Sequence, residues 1–157
     1  MSFESVKQFF QQRGKEDAVM EFEVSSATVE LAAKAVGVIP ARIAKTLSFE
    51  QGEGCLLIVA AGDARIDNRK FKDTFGMKAK MLAPERALEL TGHAVGGVCP
   101  FAIENPSVKT VLDLSLKRFD TIFPACGSSN SAVQLTCEEL YQFSNAAQWV
   151  DVCKDWA

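Results

Sequence analysis

Two adjacent glycines, followed closely by a proline, interrupt an apolar stretch at residues 92–103, whose sequence is GHAVGGVCPFAI. Gly96 and Gly97 carry no side chain, so another backbone or a ligand can approach the chain closely there. Pro100 fixes its own φ and favours an extended conformation at Cys99, which holds the loop open. These residues alone leave two interpretations open: a loop that borders a ligand, or a bulged or edge strand without one.

A lysine inside a predicted strand is the second unusual feature. In residues 43–49 (IAKTLSF), strand alternation places Lys45 on the same face as Ile43, Leu47 and Phe49. Its ammonium group must therefore reach water along the stem or meet a partner that stabilises it. The pattern fits either a lysine that protects an edge strand from aggregation or a cation at the floor of a ligand pocket.

A second small-residue loop follows at residues 126–131, with the sequence CGSSNS. Cys126 and Gly127 open it, and Ser128 and Ser129 add hydroxyl groups beside exposed backbone amides. Such a turn suits a tight hairpin or the rim of a ligand site.

The elements that position these segments are predicted from periodicity and caps. Helices are expected over residues 2–12, 26–36, 67–75, 84–91 and 136–143, and strands over residues 19–24, 43–49, 55–61, 78–82, 110–114, 121–125, 132–135 and 148–152. Ser26, Asp67 and Thr136 are the expected helix N-caps. Hairpins mixed with short helices, without regular βαβ alternation, indicate an α+β fold.

Length and composition predict one domain covering residues 1–157. The chain is 48% hydrophobic with a net charge of -3, which is typical of a globular protein and argues against non-specific nucleic-acid binding. Five scattered cysteines without a C-x-x-C pair fit reduced thiols in the cytoplasm rather than disulfides or a zinc site. We expect no metal, no cofactor and no membrane span.

One neighbourhood is basic despite the acidic total. Residues 65–80 hold six cations against the two acids Asp67 and Asp73; the cations are Arg65, Arg69, Lys70, Lys72, Lys78 and Lys80. Solvated helix charge is the usual reason for such a cluster, but this segment is also the surface best suited to phosphate contacts.

The three special segments, in this order and with these separations, resemble the YbaK/EbsC family. Its members are free-standing relatives of the editing domain inserted in bacterial prolyl-tRNA synthetases, and the similarity covers about residues 19–152. The resemblance implies a trans-acting aminoacyl-tRNA deacylase, most often acting on tRNA(Pro), with prolyl-tRNA synthetase as a further partner. It also implies a mixed, strongly curled, barrel-like sheet with helices packed outside.

The same resemblance implies roles for individual residues. Lys45 would hold the terminal nucleotide or carbonyl of the substrate, and amides around Gly96 and Gly97 would stabilise negative charge on the ester oxygen, with water as nucleophile. The residues expected to bind substrate are Thr46, Val98, Cys99, Pro100, Phe101, Cys126, Gly127, Ser128 and Ser129.

The chain also departs from the better-known members. Ala125 and Ala132 stand where cysteinyl-tRNA(Pro) deacylases have Ser and Asp, and Thr46 stands where alanyl-tRNA(Pro) deacylases usually have Asn. Serine, threonine and alanine all remain open as the amino acid removed.

Other functions stay in competition with deacylation. The fold could serve as a non-catalytic module that binds a tRNA end or a free amino acid, or as a purely structural domain. His93 lies near Cys99 in sequence, but no orienting third residue accompanies this pair, which therefore gives little support to a Cys-His nucleophile.

Overall fold

The structure is a computed structural model that describes residues 2–156, and its centre is a mixed five-stranded sheet. The strand order is β6-β2-β3-β5-β8; β2 and β3 are antiparallel, and the other three pairings are parallel. The helices are α1 (Ser2–Gln11), α2 (Val29–Val36), α3 (Asn68–Phe75), α4 (Pro84–Thr91) and α5 (Cys137–Phe143). The strands are β1 (Val19–Glu21), β2 (Ile43–Gln51), β3 (Gly54–Ala61), β4 (Arg65–Ile66), β5 (Val108–Asp113), β6 (Phe123–Pro124), β7 (Ser131–Val133), β8 (Trp149–Val150) and β9 (Cys153–Lys154).

The β2–β3 hairpin is the part that the sequence predicts best. Its register pairs Ala44 with Ala61 and Gln51 with Gly54 across a tight turn. From Cys55 onward β3 is fully buried, because it has neighbouring strands on both sides and helices on both faces.

Alternation along β3 divides the core. Leu56 and Ile58 belong to the largest cluster, together with Phe10 of α1, Phe71 of α3 and Leu140 of α5. Cys55 and Leu57 point the other way and pack against Leu90 of α4. Near the start of β2, α2 packs through Ala32 and Ala33 against Ile43 and Phe123. The prediction of a mixed α+β fold with helices outside the sheet is therefore confirmed.

Strong curling into a barrel is not confirmed. The strand pairings of residues 2–156 form three sheets, since β1–β7 and β4–β9 are separate two-stranded pairs. On the β2 side, pairing with β6 stops after Ile43 and Ala44, where Pro124 has no N–H group to continue the ladder. Between Ala44 and Ser48 this edge of β2 has no strand partner among the described residues, and from Ser48 to Glu50 it bonds to residues 80–82.

One cap prediction was wrong, because Thr28, rather than Ser26, caps α2 by accepting a hydrogen bond from the Leu31 N–H group at 3.2 Å. The apolar residues after Gly97 form no strand, which leaves the loop interpretation of that stretch. Residues 78–82, expected as a short extended piece, contribute a single bridge between Met81 and Phe49. Each of these segments is held by tertiary contacts that its own periodicity does not reveal. No helix within residues 2–156 is long and apolar enough to cross a bilayer.

Candidate functional site

The main cavity, of about 310 Å³, opens beside the free edge of β2. The start of α2, α4 and both small-residue loops complete its wall. The lining residues used below are Lys45, Thr46, Ser48, Gly96, Val98 and Ser131. We keep the name main cavity for this space.

Lys45 borders the main cavity with its ammonium group held by backbone. The Nζ atom donates a hydrogen bond to the Ala64 carbonyl and contacts the Gly62 carbonyl at 3.4 Å. Burial is the largest cause that lowers the pKa of Lys45 below its ordinary 10.5, while the charges of Cys153, Asp63 and Glu30 oppose this shift. An ammonium group has three donors, so two carbonyl partners leave one N–H group for a ligand.

Thr46 carries an unsatisfied polar atom in the wall. Its Oγ1 atom is buried, and within residues 2–156 it has no hydrogen-bond partner. A buried hydroxyl without a partner costs about 1 to 3 kcal/mol, and native proteins rarely leave one without a reason. By strand alternation Ser48 lies on the same face, so both hydroxyl-bearing side chains line the cavity.

The two adjacent glycines have different surroundings. Gly96 lines the cavity with a φ of 90°, a left-handed conformation that favours glycine. Gly97 lies behind it, where an added Cβ would come within 2.6 Å of the Ser128 N atom and 2.7 Å of the Gly127 carbonyl carbon. The two loops thus pack backbone against backbone, and glycine at position 97 permits this contact.

The backbone N–H groups of this loop also differ, because one has a hydrogen-bond partner and its two neighbours have none within residues 2–156. The N–H group of Gly97 donates to the Ala94 carbonyl at 3.0 Å, so it is not available to an oxyanion. The N–H groups of Gly96 and Val98 have no hydrogen-bond partner in the described part of the chain. Gly96 and Val98, the two neighbours of Gly97, therefore carry free donors and line the cavity.

The second small-residue loop, residues 126–131, which we call the late loop, is hydrogen-bonded to the segment before α2. The Ser26 N–H group donates to the Ser129 carbonyl at 2.6 Å, and Asn130 Nδ2 donates to the Phe22 carbonyl at 3.0 Å. Ser128 Oγ contacts Ser131 Oγ at 2.7 Å. These contacts hold residues 22–28 against the late loop and so complete one side of the cavity.

The structure separates the predicted site residues into two groups. Lys45, Thr46, Gly96 and Val98 line the main cavity. The others do not belong to its wall; they are Gly97, Cys99, Pro100, Phe101, Cys126, Gly127, Ser128 and Ser129. Among these residues, Cys99, Phe101 and Cys126 are fully buried in the core.

The cysteines and the histidine of this region have structural surroundings. Burial raises the pKa of Cys126 to about 12 and moves that of Cys99 further in the same direction, so both remain thiols. Cys99 Sγ lies 3.6 Å from His93 Nε2, but this nitrogen donates to the Phe101 carbonyl at 2.8 Å. Burial also lowers the pKa of His93. A Cys-His nucleophile has no support in this arrangement.

Sequence reasoning missed several wall residues. Ser26, Ser48 and Ser131 line the cavity but were not predicted as site residues. Ser48 could have been found, because it follows Thr46 by two residues in the same strand, and Ser131, because it ends the second small-residue loop. The position of Ser26 depends on loop packing, for which the sequence holds no signal. Among the described residues there is no cluster of three metal-ligating side chains.

Comparisons with known proteins show which family the chain resembles. A family model described as an aminoacyl-tRNA editing domain matches residues 23–143. The uncharacterized protein YwhH of Bacillus subtilis (strain 168) is 58% identical over 158 aligned positions, which cover 99% of both chains. The proline–tRNA ligase of Thermosipho melanesiensis is 34% identical over 91 residues, which cover 57% of this chain and 16% of that enzyme.

A solved structure shows the same fold over nearly the whole chain. It is described as a candidate trans-editing enzyme for prolyl-tRNA synthetase, and it superposes with a TM-score of 0.86 at 30% identity. The match covers 98% of this chain and 97% of the other. The family model matches well over half of the chain, and the matched residues 23–143 contain every segment that builds the main cavity. The chain therefore belongs to the aminoacyl-tRNA editing domain family.

Proposed function

We propose that this chain hydrolyses the ester of a wrongly charged tRNA in trans, with tRNA(Pro) as the substrate tRNA. The observation that carries the proposal is the main cavity, whose wall includes Lys45, Thr46, Gly96 and Val98, in a member of an editing family. Two amino acids that differ by one methylene group differ in binding free energy to a synthetase by only about 1 to 3 kcal/mol, so a second site is needed to remove the wrongly attached one.

Water is the nucleophile in this proposal. No Asp, Glu, His or Cys belongs to the described wall of the main cavity, so attack relies on positioning and on stabilisation of charge. The water oxygen adds to the ester carbonyl, whose oxygen becomes negative and accepts from the N–H groups of Gly96 and Val98. The bond to the terminal ribose oxygen then breaks, and that oxygen takes the proton of the water. The products are a free amino acid and an uncharged tRNA.

Lys45 positions the substrate rather than acting as a base. Its ammonium group already donates to the Ala64 carbonyl, and its remaining N–H group is directed to the terminal nucleotide or to the ester carbonyl. Gly97 serves the reaction indirectly, because its lack of a side chain lets the two loops pack closely enough to present Gly96 and Val98.

The wall favours a small, hydroxyl-bearing amino acid. A volume of about 310 Å³ stands at the lower end of ligand pockets, and Ala44, Ala125 and Ala132 add only methyl groups to it. The Thr46 hydroxyl and the nearby serines offer hydrogen bonds that alanine cannot return. We therefore propose serine or threonine, in preference to alanine, as the amino acid removed.

A panel of tRNA(Pro) charged with serine, threonine, alanine, cysteine or proline tests the function. We expect release of serine and threonine well above the rate in buffer, slower release of alanine, and protection of prolyl-tRNA(Pro). Absence of release from every member would contradict the proposal. Saturable binding without turnover would then favour the alternative, a module that binds a tRNA end or an amino acid.

Replacing Thr46 by valine removes the hydroxyl while keeping the shape. Because the lost atom is buried and unsatisfied, the melting temperature should stay unchanged or rise. The ratio of kcat/KM for seryl- over alanyl-tRNA(Pro) should fall about tenfold or more, since a hydrogen bond to the substrate is lost. Thr46→Ser keeps the hydroxyl and serves as control. An unchanged ratio in Thr46→Val would exclude this residue from recognition.

A further inference from the structure

Two like charges stand directly opposite each other in the β4–β9 sheet. Arg65 of β4 and Lys154 of β9 are cross-strand partners, and both are exposed. Partners of this kind have Cβ atoms about 5 Å apart, and like charges in such positions destabilise a sheet. Neither side chain forms a salt bridge within residues 2–156. We call Arg65 and Lys154 the rim pair.

The rim pair is next to the cation of the main cavity. Lys45 donates to the carbonyl of Ala64, the residue that precedes Arg65 in the chain. Arg65 is also close enough for its charge to disfavour the ammonium form of Lys45. Arg65 thus acts on Lys45 directly, and Lys154 stands opposite Arg65 in the β4–β9 sheet, an arrangement that a bound anion would stabilise.

Most acids of this region compensate other groups. Asp63 pairs with Arg118 at 2.6 Å, and Asp151 pairs with Lys70 at 3.1 Å. Asp67 accepts from the N–H groups of Lys70 and Arg69 at the start of α3; these bonds lower the pKa of its carboxyl, and the nearby charge of Lys154 lowers this pKa further. Asp73 and Asp155 are the remaining exposed acids of β4, α3 and β9 with their adjoining residues.

The cationic surface continues along α3. Arg69 and Lys72 are exposed on this helix, which begins two residues after β4, and neither forms a salt bridge in the described part of the chain. Lys70, on the same helix, is the exception, because it pairs with Asp151 at 3.1 Å. Unpaired cations thus extend from the cavity rim outward.

We propose that the rim pair binds backbone phosphates of the single-stranded 3′ end of tRNA, just before the nucleotide that enters the main cavity. Arg69 and Lys72 extend the contact toward the acceptor stem. The inference rests on the proposed function for the identity of the RNA. Arginine can bind a phosphate with two parallel N–H groups and lysine adds a point charge, so the pair suits one phosphate or two successive ones.

The test compares binding of uncharged tRNA(Pro) by the double variant Arg65→Gln/Lys154→Gln with binding by Lys34→Gln/Lys109→Gln. The control removes the same charge from two other exposed lysines, on α2 and β5. Binding of a single strand loses about 0.7 in the slope of log K against log salt for each phosphate contact. We therefore expect the rim variant to lose about 1.4 from the slope and to bind about tenfold more weakly at low salt, while the control keeps both values. Equal slopes in the two variants would overturn the inference.

Further arms identify the ligand. A short oligonucleotide with the 3′-terminal sequence of tRNA(Pro) should show the same difference between the variants, whereas a blunt RNA hairpin should show none. Inorganic phosphate, compared with chloride at equal ionic strength, should not displace the oligonucleotide; displacement would indicate a site for small anions and contradict the assignment to RNA.

Binding of uncharged tRNA requires no hydrolysis, so this result and the deacylation panel can fail separately. If the panel shows no turnover but the rim variant still has the smaller salt slope, the result supports the RNA-binding surface and contradicts the catalytic proposal. If turnover is observed and the rim variant binds tRNA as the control does, the result supports deacylation and contradicts RNA binding by the rim pair.

Discussion

Replacing Lys45 by alanine is expected to lower kcat/KM for seryl-tRNA(Pro) by about 100-fold to 1,000-fold, the effect typical of losing one preorganised donor in an active site. The substitution removes the one cation of the described cavity wall and leaves the Gly62 and Ala64 carbonyls without their donor. The measurement is single-turnover deacylation, corrected for hydrolysis in buffer.

Two controls separate a lost donor from a damaged fold. Lys109→Ala removes an exposed lysine of β5 and should leave the rate unchanged. Circular dichroism and the melting temperature should show that Lys45→Ala remains folded. Full activity in a folded Lys45→Ala protein would remove the lysine from the mechanism and, with it, the main support for catalysis in this cavity.

The same lysine predicts a dependence on pH. Burial lowers the pKa of Lys45 below 10.5, so the ammonium form is lost at a lower pH than in a free lysine. The enzymatic kcat/KM should therefore begin to fall on the alkaline side below pH 10.5, after subtraction of the uncatalysed rate. Lys45→Arg, whose guanidinium stays charged, should show no such fall in whatever activity it retains. An alkaline fall of the same midpoint in Lys45→Arg would assign the titration to another group.

Gly97→Ala should destabilise the protein more than any other single change considered for the loops. The new methyl group would lie 2.6 Å from the Ser128 N atom, and only a backbone shift can relieve this contact. We expect a loss of about 3 kcal/mol in the free energy of unfolding, at the upper end of the range for overpacking. Because the shift would separate the two loops, deacylation should fall as well. Urea denaturation followed by fluorescence measures the loss.

Gly76→Ala is the matched control for this change. Gly76 ends α3 with a φ of 71°, and an added Cβ there would meet nothing within 4 Å. Its cost is conformational only, about 1 kcal/mol, and activity should persist. A Gly97→Ala protein as stable as Gly76→Ala would show that the two loops are not in rigid contact.

The sequence by itself determined the local elements and the identity of the central residues. Helix α3 begins at the Asp67 cap and ends at Gly76. Helix α5 begins at a capping box that Thr136 and Glu139 form. The apolar run at residues 55–61 forms β3. These signals are local, because capping and strand alternation involve residues only a few positions apart. Lys45 also stands out by itself, since a cation in an apolar strand needs an explanation.

Only the tertiary structure decided which face of β2 borders the cavity and which amides remain free. The sequence left open whether Lys45 faces a pocket at all; in the structure Thr46 and Ser48 line the cavity from one face of β2, and Ile43 and Lys45, which alternate with them, also belong to its wall. The partners of the Lys45 ammonium group lie 17 and 19 residues away, and the backbone that Gly97 touches lies 30 or more residues away. Contacts at such separations depend on how whole elements pack, so no local pattern in the chain encodes them.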